Sequence, residues 1–225
     1  METKTRILIA DDHQLVIQGI LCSLKEVGDF DIVTVNSCDA AFEVIKANRK
    51  TKPFDILFTD LSFDNITADA KLDGGEELIK AIRNNEIDIK IGVITGHSET
   101  NRVYNVIHNL NPNAYILKNN CDATELDFAV KKMLENQFYY THEVHQKIMR
   151  RNIIQIQMDD VAIQILKELP NHPKIANLEG VILKGDGTAI KLRSIETKLA
   201  NLRTDLNANN NTDLILKAKE LGIID

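Results

Sequence analysis

The chain has 225 residues, of which 44% are hydrophobic and 27% are charged, and its formal net charge is −6 at pH 7. These values are typical of a globular protein with one large domain or two small ones, and they exclude a strongly basic, nonspecific binder of nucleic acid. No apolar run approaches the roughly 20 residues of a membrane helix, so we expect a cytoplasmic protein without a membrane partner.

The charges are unevenly distributed along the chain. Residues 1–150 contain 17 Lys and Arg against 23 Asp and Glu, whereas residues 151–225 contain 10 of each. The C-terminal part is therefore neutral overall, and any contact that it makes with an anionic polymer depends on a local basic patch.

Residues 1–136 alternate between short apolar runs and longer stretches with helical periodicity. Ser37, Ser98 and either Asp122 or Thr124 precede helical stretches, as N-cap residues do. Because parallel strands need helical crossovers, five such units in a row predict a parallel sheet with helices on both faces. The predicted strands are residues 6–10, 30–35, 55–60, 89–95 and 114–118.

Three cysteines and one pair of histidines are residue types that bind metals, but their spacing in the sequence is not that of a metal-binding motif. Cys22, Cys38 and Cys121 lie far apart with no CxxC pattern, which predicts small buried side chains in a reducing compartment. His142 and His145 are three residues apart, but no third ligand or HExxH motif accompanies them, which favours a plain surface.

The pattern changes after residue 136. Residues 137–157 lack a clean period and indicate a partly helical linker. Residues 184–189 form a predicted turn whose neighbours suit a short hairpin, and residues 207–211 are a loop or capping stretch. The helical segments beyond the linker are VAIQILKEL, KIANLEGVI, SIETKLANLRTDL and DLILKAKELGII.

Polar residues stand where the predicted strands end. Asp11 and Asp12 follow the first strand, Asp60 ends the third, Thr95 ends the fourth and Lys118 ends the fifth. Because ligands bind beyond the carboxyl ends of parallel strands, near the point where strand order reverses, we expect these five groups in one cleft. Any one of them alone is explained as a cap or a solvated loop residue. Their joint order favours a site.

The chemistry of this residue set points to phosphoryl transfer. Three clustered carboxylates repel one another and require a hard divalent cation, and Mg²⁺ suits carboxylate, carbonyl and water oxygens. A lysine and a hydroxyl opposite the metal can bind the oxygens of a phosphoryl group. One carboxylate is then available as the nucleophile that forms an aspartyl phosphate.

With these residues in this order, residues 4–136 closely resemble the receiver domain of two-component response regulators, which has a flavodoxin-like (βα)5 fold. The resemblance implies that Asp60 is the phosphoacceptor. It also implies that Asp12 binds Mg²⁺ with the help of Asp11, and that Asp60 and the backbone carbonyl of Ser62 complete the protein's share of the metal shell.

The same resemblance assigns three further residues. Thr95 would donate its hydroxyl to the phosphoryl group, and Lys118 would pair with another of its oxygens. Tyr115 matches the aromatic switch position that moves inward when the threonine shifts. Its alternative, a plain strand aromatic near the sheet edge, stays open.

The loop after the phosphoacceptor departs from the family pattern. The segment between Asp60 and Gly74 is longer than usual and lacks the usual proline, because Asp64 stands in its place. Asp64, Asp69 and Asp73 either reach the metal region or form a solvated acidic loop, and the second interpretation is favoured.

Residues 158–225 resemble the helix-turn-helix output domain of LuxR-type (NarL/FixJ) response regulators. In that family the outward face of the segment that corresponds to SIETKLANLRTDL enters the major groove. Its inward face here carries Ile195, Leu199 and Leu202 at helical spacing. The candidate DNA-contacting residues are Arg193, Thr197, Lys198, Asn201 and Arg203.

This output segment also departs from its family. Glu196 and Ala200 stand where relatives often carry lysine, and the segment that joins the two helices is longer than the usual tight turn. Lys184, Lys191 and Arg193 contribute to a local basic patch, which either contacts DNA or is a solvated face. A glutamate can accept from cytosine, but it repels nearby phosphates.

The sequence therefore predicts a receiver domain at residues 1–136, a linker at 137–157 and a small all-α helix-turn-helix domain at 158–225. It predicts a non-enzymatic response regulator that takes phosphoryl from a sensor histidine kinase onto Asp60 and binds promoter DNA. We expect phosphorylation to change the surface of the fourth helix, fifth strand and fifth helix, and so to release the output domain or promote a homodimer.

Two alternatives remain. In the first, the C-terminal domain is a protein-interaction module of a phosphorelay and does not bind DNA, which Glu196, Ala200 and the neutral charge of residues 151–225 favour. In the second, the cleft is a phosphatase or another hydrolase, for which the sequence offers no second catalytic base.

Overall fold

The structure is a computed structural model that describes residues 4–64 and 69–224, except for the side chains of residues 155–157. Its contacts divide the chain into two compact units, one of residues 1–98 and 105–145 and the other of residues 99–104 and 146–225. None of the helices in the described ranges combines the length and apolar character that a membrane span requires.

A six-stranded sheet organises the first unit, and all neighbouring strands in it are parallel. The strand order is β2-β1-β3-β4-β5-β6, so the order reverses at β1, between β2 and β3. The five predicted strands are confirmed, and a sixth is added. The strands are β1 (Arg6–Ala10), β2 (Asp31–Val35), β3 (Ile56–Thr59), β4 (Lys90–Thr95), β5 (Ala114–Leu117) and β6 (Tyr139–Tyr140).

Helices follow each of the first five strands, as the βα alternation predicts. Ser37 caps the second helix by accepting a hydrogen bond from the amide of Ala40, and Asp122 rather than Thr124 caps the fifth. The fourth helix begins at Thr100, two residues after Ser98. The helices are α1 (Gln14–Val27), α2 (Cys38–Asn48), α3 (Gly75–Asn84), α4 (Thr100–Leu110) and α5 (Ala123–Leu134).

The central strands read as unbroken apolar runs because both of their faces are buried. Every residue of β1, β3 and β5 is buried. On one face, Leu24 of α1 and Ala129 of α5 belong to the same buried cluster as Ile7, Phe58 and Ile116 of the sheet. This packing fixes the strand ends, and with them the polar residues that follow.

The sixth strand lies in the segment that the sequence indicates as a linker. Tyr139 and Tyr140 pair with Ala114 and Tyr115 of β5, so β6 forms the edge of the sheet. A strand of two residues is too short to show an alternating pattern, which is why the sequence does not reveal it. The linker segment continues as α6 (His142–Gln157), in agreement with its predicted helical character.

The second unit is built from helices around its own core. Its helices after α6 are α7 (Asp160–Glu168), α8 (Leu192–Asp205) and α9 (Asn211–Glu220). Leu166, Ile195 and Leu214, one from each, are fully buried in one cluster.

The segment KIANLEGVI differs from its predicted helix, because it contains only a four-residue 3-10 turn, Ile175–Leu178. The predicted hairpin follows it: Leu183 and Ala189 form an antiparallel bridge, and the amide of Lys184 donates to the carbonyl of Thr188 at 2.9 Å. Gly187 takes φ +81° in the turn, a conformation that glycine adopts without strain. Gly180 takes φ +86° inside the segment KIANLEGVI, a left-handed conformation that interrupts a helix there.

Two glycine substitutions test the packing. A Cβ atom at Gly92 in β4 would lie 2.6 Å from the ring of Phe58 in β3. We expect Gly92→Ala to destabilise the protein by about 1–3 kcal/mol, measured as the free energy of unfolding in urea. Gly19 in α1 has nothing within 4 Å of such an atom, so Gly19→Ala should stabilise by about 0.5–1 kcal/mol. Effects of the same sign at both positions would contradict the packing described.

Candidate functional site

The carboxyl ends of β1 and β3 lie side by side at the point where strand order reverses. Ala10 pairs with Thr59 in the register of these strands, so Asp11 and Asp60 follow at the same level. This is where open parallel sheets bind ligands. Asp11 and Asp60 therefore lie at the edge of the sheet where the site is expected.

Asp60 is held by one hydrogen bond to each oxygen of its carboxylate. It is 5% exposed, its Oδ1 accepts from the amide of Leu61 at 2.6 Å, and its Oδ2 accepts from Nζ of Lys118 at 2.6 Å. Its own amide donates to the carbonyl of Ala10 at 3.0 Å. These contacts fix the carboxylate in one orientation.

Asp11 and Asp12 lie beside it, in different environments. Asp11 is 1% exposed, and its Oδ2 lies 2.8 Å from Nζ of Lys118 but has no partner of hydrogen-bond geometry among the described residues. Oδ2 of Asp12 accepts from the backbone amide of Asp64 at 2.7 Å. A buried carboxylate oxygen without a hydrogen bond is suited to bind a cation.

Lys118 joins the two buried carboxylates. Burial by itself lowers the pKa of its ammonium, but the contacts that the ammonium makes with the carboxylates of Asp11 and Asp60 outweigh burial, and the pKa lies above its ordinary value. The lysine is therefore charged at neutral pH. It offsets part of the repulsion between the carboxylates.

The carboxylates of this group fit a hard divalent cation. Asp11, His13 and Asp60 each offer a ligand atom, and these atoms lie within 4.8 Å of one another. Carboxylate oxygens are the ligands that Mg²⁺ and Ca²⁺ prefer. Ser62, predicted to contribute its carbonyl, follows Asp60 by two residues, and its hydroxyl lies 2.7 Å from Nε2 of His97.

Thr95 and Tyr115 are connected through the loop that follows β4. Both are fully buried. The hydroxyl of Tyr115 donates to the carbonyl of His97 at 2.9 Å, and the amide of His97 donates to Oγ1 of Thr95 at 3.4 Å. Tyr115, the predicted switch aromatic, is thus buried and bonded to the loop that begins after Thr95.

Two glycines permit the close approach of α3 to the backbone of Asp60 and Leu61. A Cβ atom at Gly75 would lie 1.8 Å from the carbonyl oxygen of Asp60, and one at Gly74 would lie 2.8 Å from that of Leu61. The amide of Gly75 donates to the carbonyl of Leu61 at 3.0 Å. The Gly-Gly pair after the loop could have indicated this contact, because such pairs mark close backbone approach.

The acidic loop contacts the site through the backbone amide of Asp64, which binds the carboxylate of Asp12. The sequence favours a solvated loop, and Asp64, Asp69 and Asp73 are indeed exposed. However, the amide of Asp64 binds Asp12, as described above, which ties the start of the loop to the site. Residues 65–68 lie outside the described residues.

His13 and His97 are the site residues that the sequence analysis does not single out. Nδ1 of His13 lies 2.9 Å from Oδ1 of Asp12, and His97 contacts Ser62. In the sequence, only their positions could have identified them. His13 directly follows the Asp-Asp pair, and His97 follows Thr95 by two residues.

The five candidate DNA-contacting residues lie on α8 and are only partly available. Arg193, Thr197 and Asn201 are exposed. Lys198 is half-buried and pairs with Asp159, and this hydrogen bond holds the pKa of the Asp159 carboxyl below its ordinary value. Nη1 of Arg203 donates to Oδ1 of Asn211 at 3.1 Å, so it is also engaged within the unit.

A cavity of about 400 Å³ lies beside the start of α8. Its lining includes Lys184 from the hairpin, and Lys191, Ser194 and Lys198 from the start of α8. The hairpin thus brings lysines together that are separated by up to 14 positions in sequence (198 − 184). Three lysines of the predicted basic patch, Lys184, Lys191 and Lys198, therefore line one concave surface.

Comparisons with known proteins agree with the fold. The sequence model of the response regulator receiver domain matches residues 7–131. The chain is 22% identical over 219 residues to the response regulator protein VraR of Staphylococcus saprophyticus, covering 97% of this chain and 98% of that protein. It is 23% identical over 222 residues to the response regulator GacA of Pseudomonas aeruginosa, covering 98% of each.

A solved structure has a similar fold over nearly the whole chain. The RcsB response regulator of Salmonella typhimurium, in a structure described for its conformational dynamism in DNA interaction, superposes with a TM-score of 0.62. The identity is 18%, and the match covers 96% of this chain and 99% of that one.

Gly75→Ala tests whether the close approach of α3 positions Asp60. We expect the rate of labelling by acetyl phosphate to fall by about a hundredfold, because the new methyl group displaces the backbone of Asp60. Gly185→Ala is the matched control, since nothing lies within 4 Å of a Cβ atom there. Unchanged labelling in a folded Gly75→Ala protein, judged by circular dichroism, would contradict this role.

Proposed function

The chain belongs to the response regulator receiver-domain family, and from this premise we propose that it is a two-component response regulator that is phosphorylated on Asp60 and regulates transcription by binding DNA. The phosphoryl donor is a sensor histidine kinase, and Mg²⁺ is the cofactor. The observation that carries this proposal is the contact of Lys118 with two buried carboxylates at 2.6 and 2.8 Å.

The proposed transfer uses residues that the fold already positions. An oxygen of Asp60 attacks the phosphorus of the phosphohistidine, so that a P–O bond forms and the P–N bond breaks. Lys118 neutralises an oxygen of the incoming group, and the hydroxyl of Thr95 donates to another. Asp11, Asp12, Asp60 and the carbonyl of Ser62 would hold Mg²⁺, which when bound neutralises charge on the transferred group.

The same proposal includes a route by which phosphorylation changes the surface of the domain. If the hydroxyl of Thr95 turns to the phosphoryl group, it gives up the 3.4 Å contact with the amide of His97. The carbonyl of His97 accepts from Tyr115, so the loop after β4 and the β5 side chain respond together. The surface of α4, β5 and α5 then changes, which releases the output domain or promotes dimerisation.

The C-terminal unit is proposed to bind promoter DNA. The match to RcsB, whose structure was described for DNA interaction, extends over 96% of this chain and therefore includes the second unit. The exposed residues Arg193, Thr197 and Asn201 on α8 face outward, and the lysine-lined cavity lies at the start of the same helix. We propose domain boundaries at 1–136, 137–157 and 158–225, with a linker that begins by adding Tyr139 and Tyr140 to the sheet of the first unit.

Further parts of the proposal follow from the family. The protein acts as a phosphoryl acceptor and not as an enzyme with an external substrate. It is placed in the cytoplasm, where kinases and DNA are accessible. Lys198 and Arg203 contribute to DNA binding only after they leave Asp159 and Asn211, their partners in this structure.

Selection from a pool of random duplexes tests the transcription-factor function. We expect enrichment of a sequence with two half-sites, and tighter binding after treatment with acetyl phosphate and Mg²⁺, because phosphorylation promotes the dimer. Asp60→Asn, which cannot accept phosphoryl, should show no such increase. Binding that is only nonspecific and disappears at moderate salt would instead support a protein-interaction module.

Arg193→Ala tests the orientation of α8. We expect the dependence of log K on log salt to decrease in slope by about 0.9, because one phosphate contact is lost. Lys219→Ala, which removes an equal charge from the exposed end of α9, is the matched control and should leave the slope unchanged. Equal effects of both substitutions would mean that net charge, not the α8 face, determines binding.

A further inference from the structure

His13 has a position that the proposed phosphorylation does not explain. It lies between β1 and α1, and its amide donates to Oδ1 of Asp11 at 2.8 Å, which fixes the backbone at this point. As the N-cap residue of α1 it makes no side-chain cap. Its ring is 51% exposed and lies against the acidic cluster.

One ring nitrogen faces the metal region. Nδ1 of His13 lies 2.9 Å from Oδ1 of Asp12 and 3.3 Å from Oδ1 of Asp11. One ligand atom each from Asp11, His13 and Asp60 lie within 4.8 Å of one another. Ligands on opposite sides of one transition-metal ion are at most about 4.2 Å apart, so a small closure places all three around one ion.

The other ring nitrogen faces the acidic loop. Nε2 of His13 lies 3.6 Å from Oδ2 of Asp64, and the amide of Asp64 holds that residue in place through Asp12. Histidines that bind a metal through one nitrogen usually direct the other N–H to a carboxylate, which fixes the tautomer and the ring orientation. Asp64 stands where that carboxylate is needed.

Asp11 contributes a buried carboxylate to the same place. It is 1% exposed, and its Oδ2 forms an ion pair with Nζ of Lys118 at 2.8 Å. A buried anionic oxygen beside an imidazole nitrogen is a mixed oxygen and nitrogen donor set.

We propose that His13 is a nitrogen ligand that allows the phosphorylation cleft to bind a first-row transition-metal ion, such as Co²⁺ or Zn²⁺, in addition to Mg²⁺. Asp64 is the residue that positions its ring. This inference rests on the proposed function, because it uses the same cleft and the same carboxylates. It gives the long acidic loop a role that the phosphoryl transfer itself does not need.

The selectivity follows from the chemistry of the donors. Mg²⁺ prefers oxygen ligands, so it binds through the carboxylates and forms no bond to His13. Imidazole nitrogen suits Zn²⁺, Ni²⁺ and Cu²⁺, and affinity generally rises from Mn²⁺ to Cu²⁺. The contribution of His13 is therefore large for a transition-metal ion and small for Mg²⁺.

Titration of the full chain with CoCl₂ and with MgCl₂ tests the proposal. Calorimetry gives the dissociation constants, and the visible absorption of Co²⁺ reports its ligands. For His13→Gln we expect the Co²⁺ dissociation constant to rise by at least about tenfold and the Mg²⁺ constant to change by less than about twofold. The visible spectrum should change as a nitrogen ligand is lost. Asp64→Asn should weaken Co²⁺ binding in the same direction.

His108→Gln is the matched control, because this histidine is exposed on α4 and is not part of the cluster. Unchanged Co²⁺ binding and an unchanged spectrum in His13→Gln, with Mg²⁺ still bound, would overturn this inference alone. Equal weakening of both ions would also overturn it, since the effect would then be one of shape or charge. If the wild-type protein bound neither ion, the Mg²⁺ requirement of the proposed function would fail as well.

Discussion

The site depends on the contact between one lysine and two buried carboxylates. Asp11 and Asp60 are almost fully buried, and two such charges repel each other strongly where water is excluded. Lys118 reaches both, at 2.8 and 2.6 Å, and offsets this repulsion. Without this cation the repulsion would push the two carboxylates apart.

The sheet makes this contact possible because its register brings together residues that are far apart in sequence. Asp60 and Lys118 are separated by 58 positions, and β4 lies between their strands. Thr95 ends β4 in register with Leu117, directly before the lysine. The glycine at position 75 then lets α3 begin against the backbone of Asp60. A change in any of these strand ends is transmitted to the same small group of atoms.

Much of this could be predicted from the sequence, since it depends on local patterns. Continuous apolar runs give the five main strands, and polar residues at their ends give the cleft, because a parallel sheet collects its carboxyl ends at one edge. The positions of His13 and Asp64 could not be predicted in this way. Their approach depends on how the loop after β3 folds back to Asp12, which no periodicity records.

In the C-terminal unit, too, local patterns predict some features, and others depend on tertiary packing. Regular spacing of Ile195, Leu199 and Leu202 identifies α8 and its buried face. In contrast, KIANLEGVI has helical spacing but forms only a short 3-10 turn. Ile182, the last residue of this segment, is buried in the core, so tertiary packing outweighs helical propensity there. The partner of Lys198, Asp159, is 39 positions away and is also a product of packing.

The most direct test of this account is to locate the phosphoryl group after treatment with acetyl phosphate. The intact chain is incubated with and without Mg²⁺, and the modified residue is identified by mass spectrometry after reduction of the acyl phosphate. The account predicts one phosphoryl group per chain, carried by Asp60 and dependent on Mg²⁺. Modification at another residue, or modification that persists in Asp60→Asn, would contradict it.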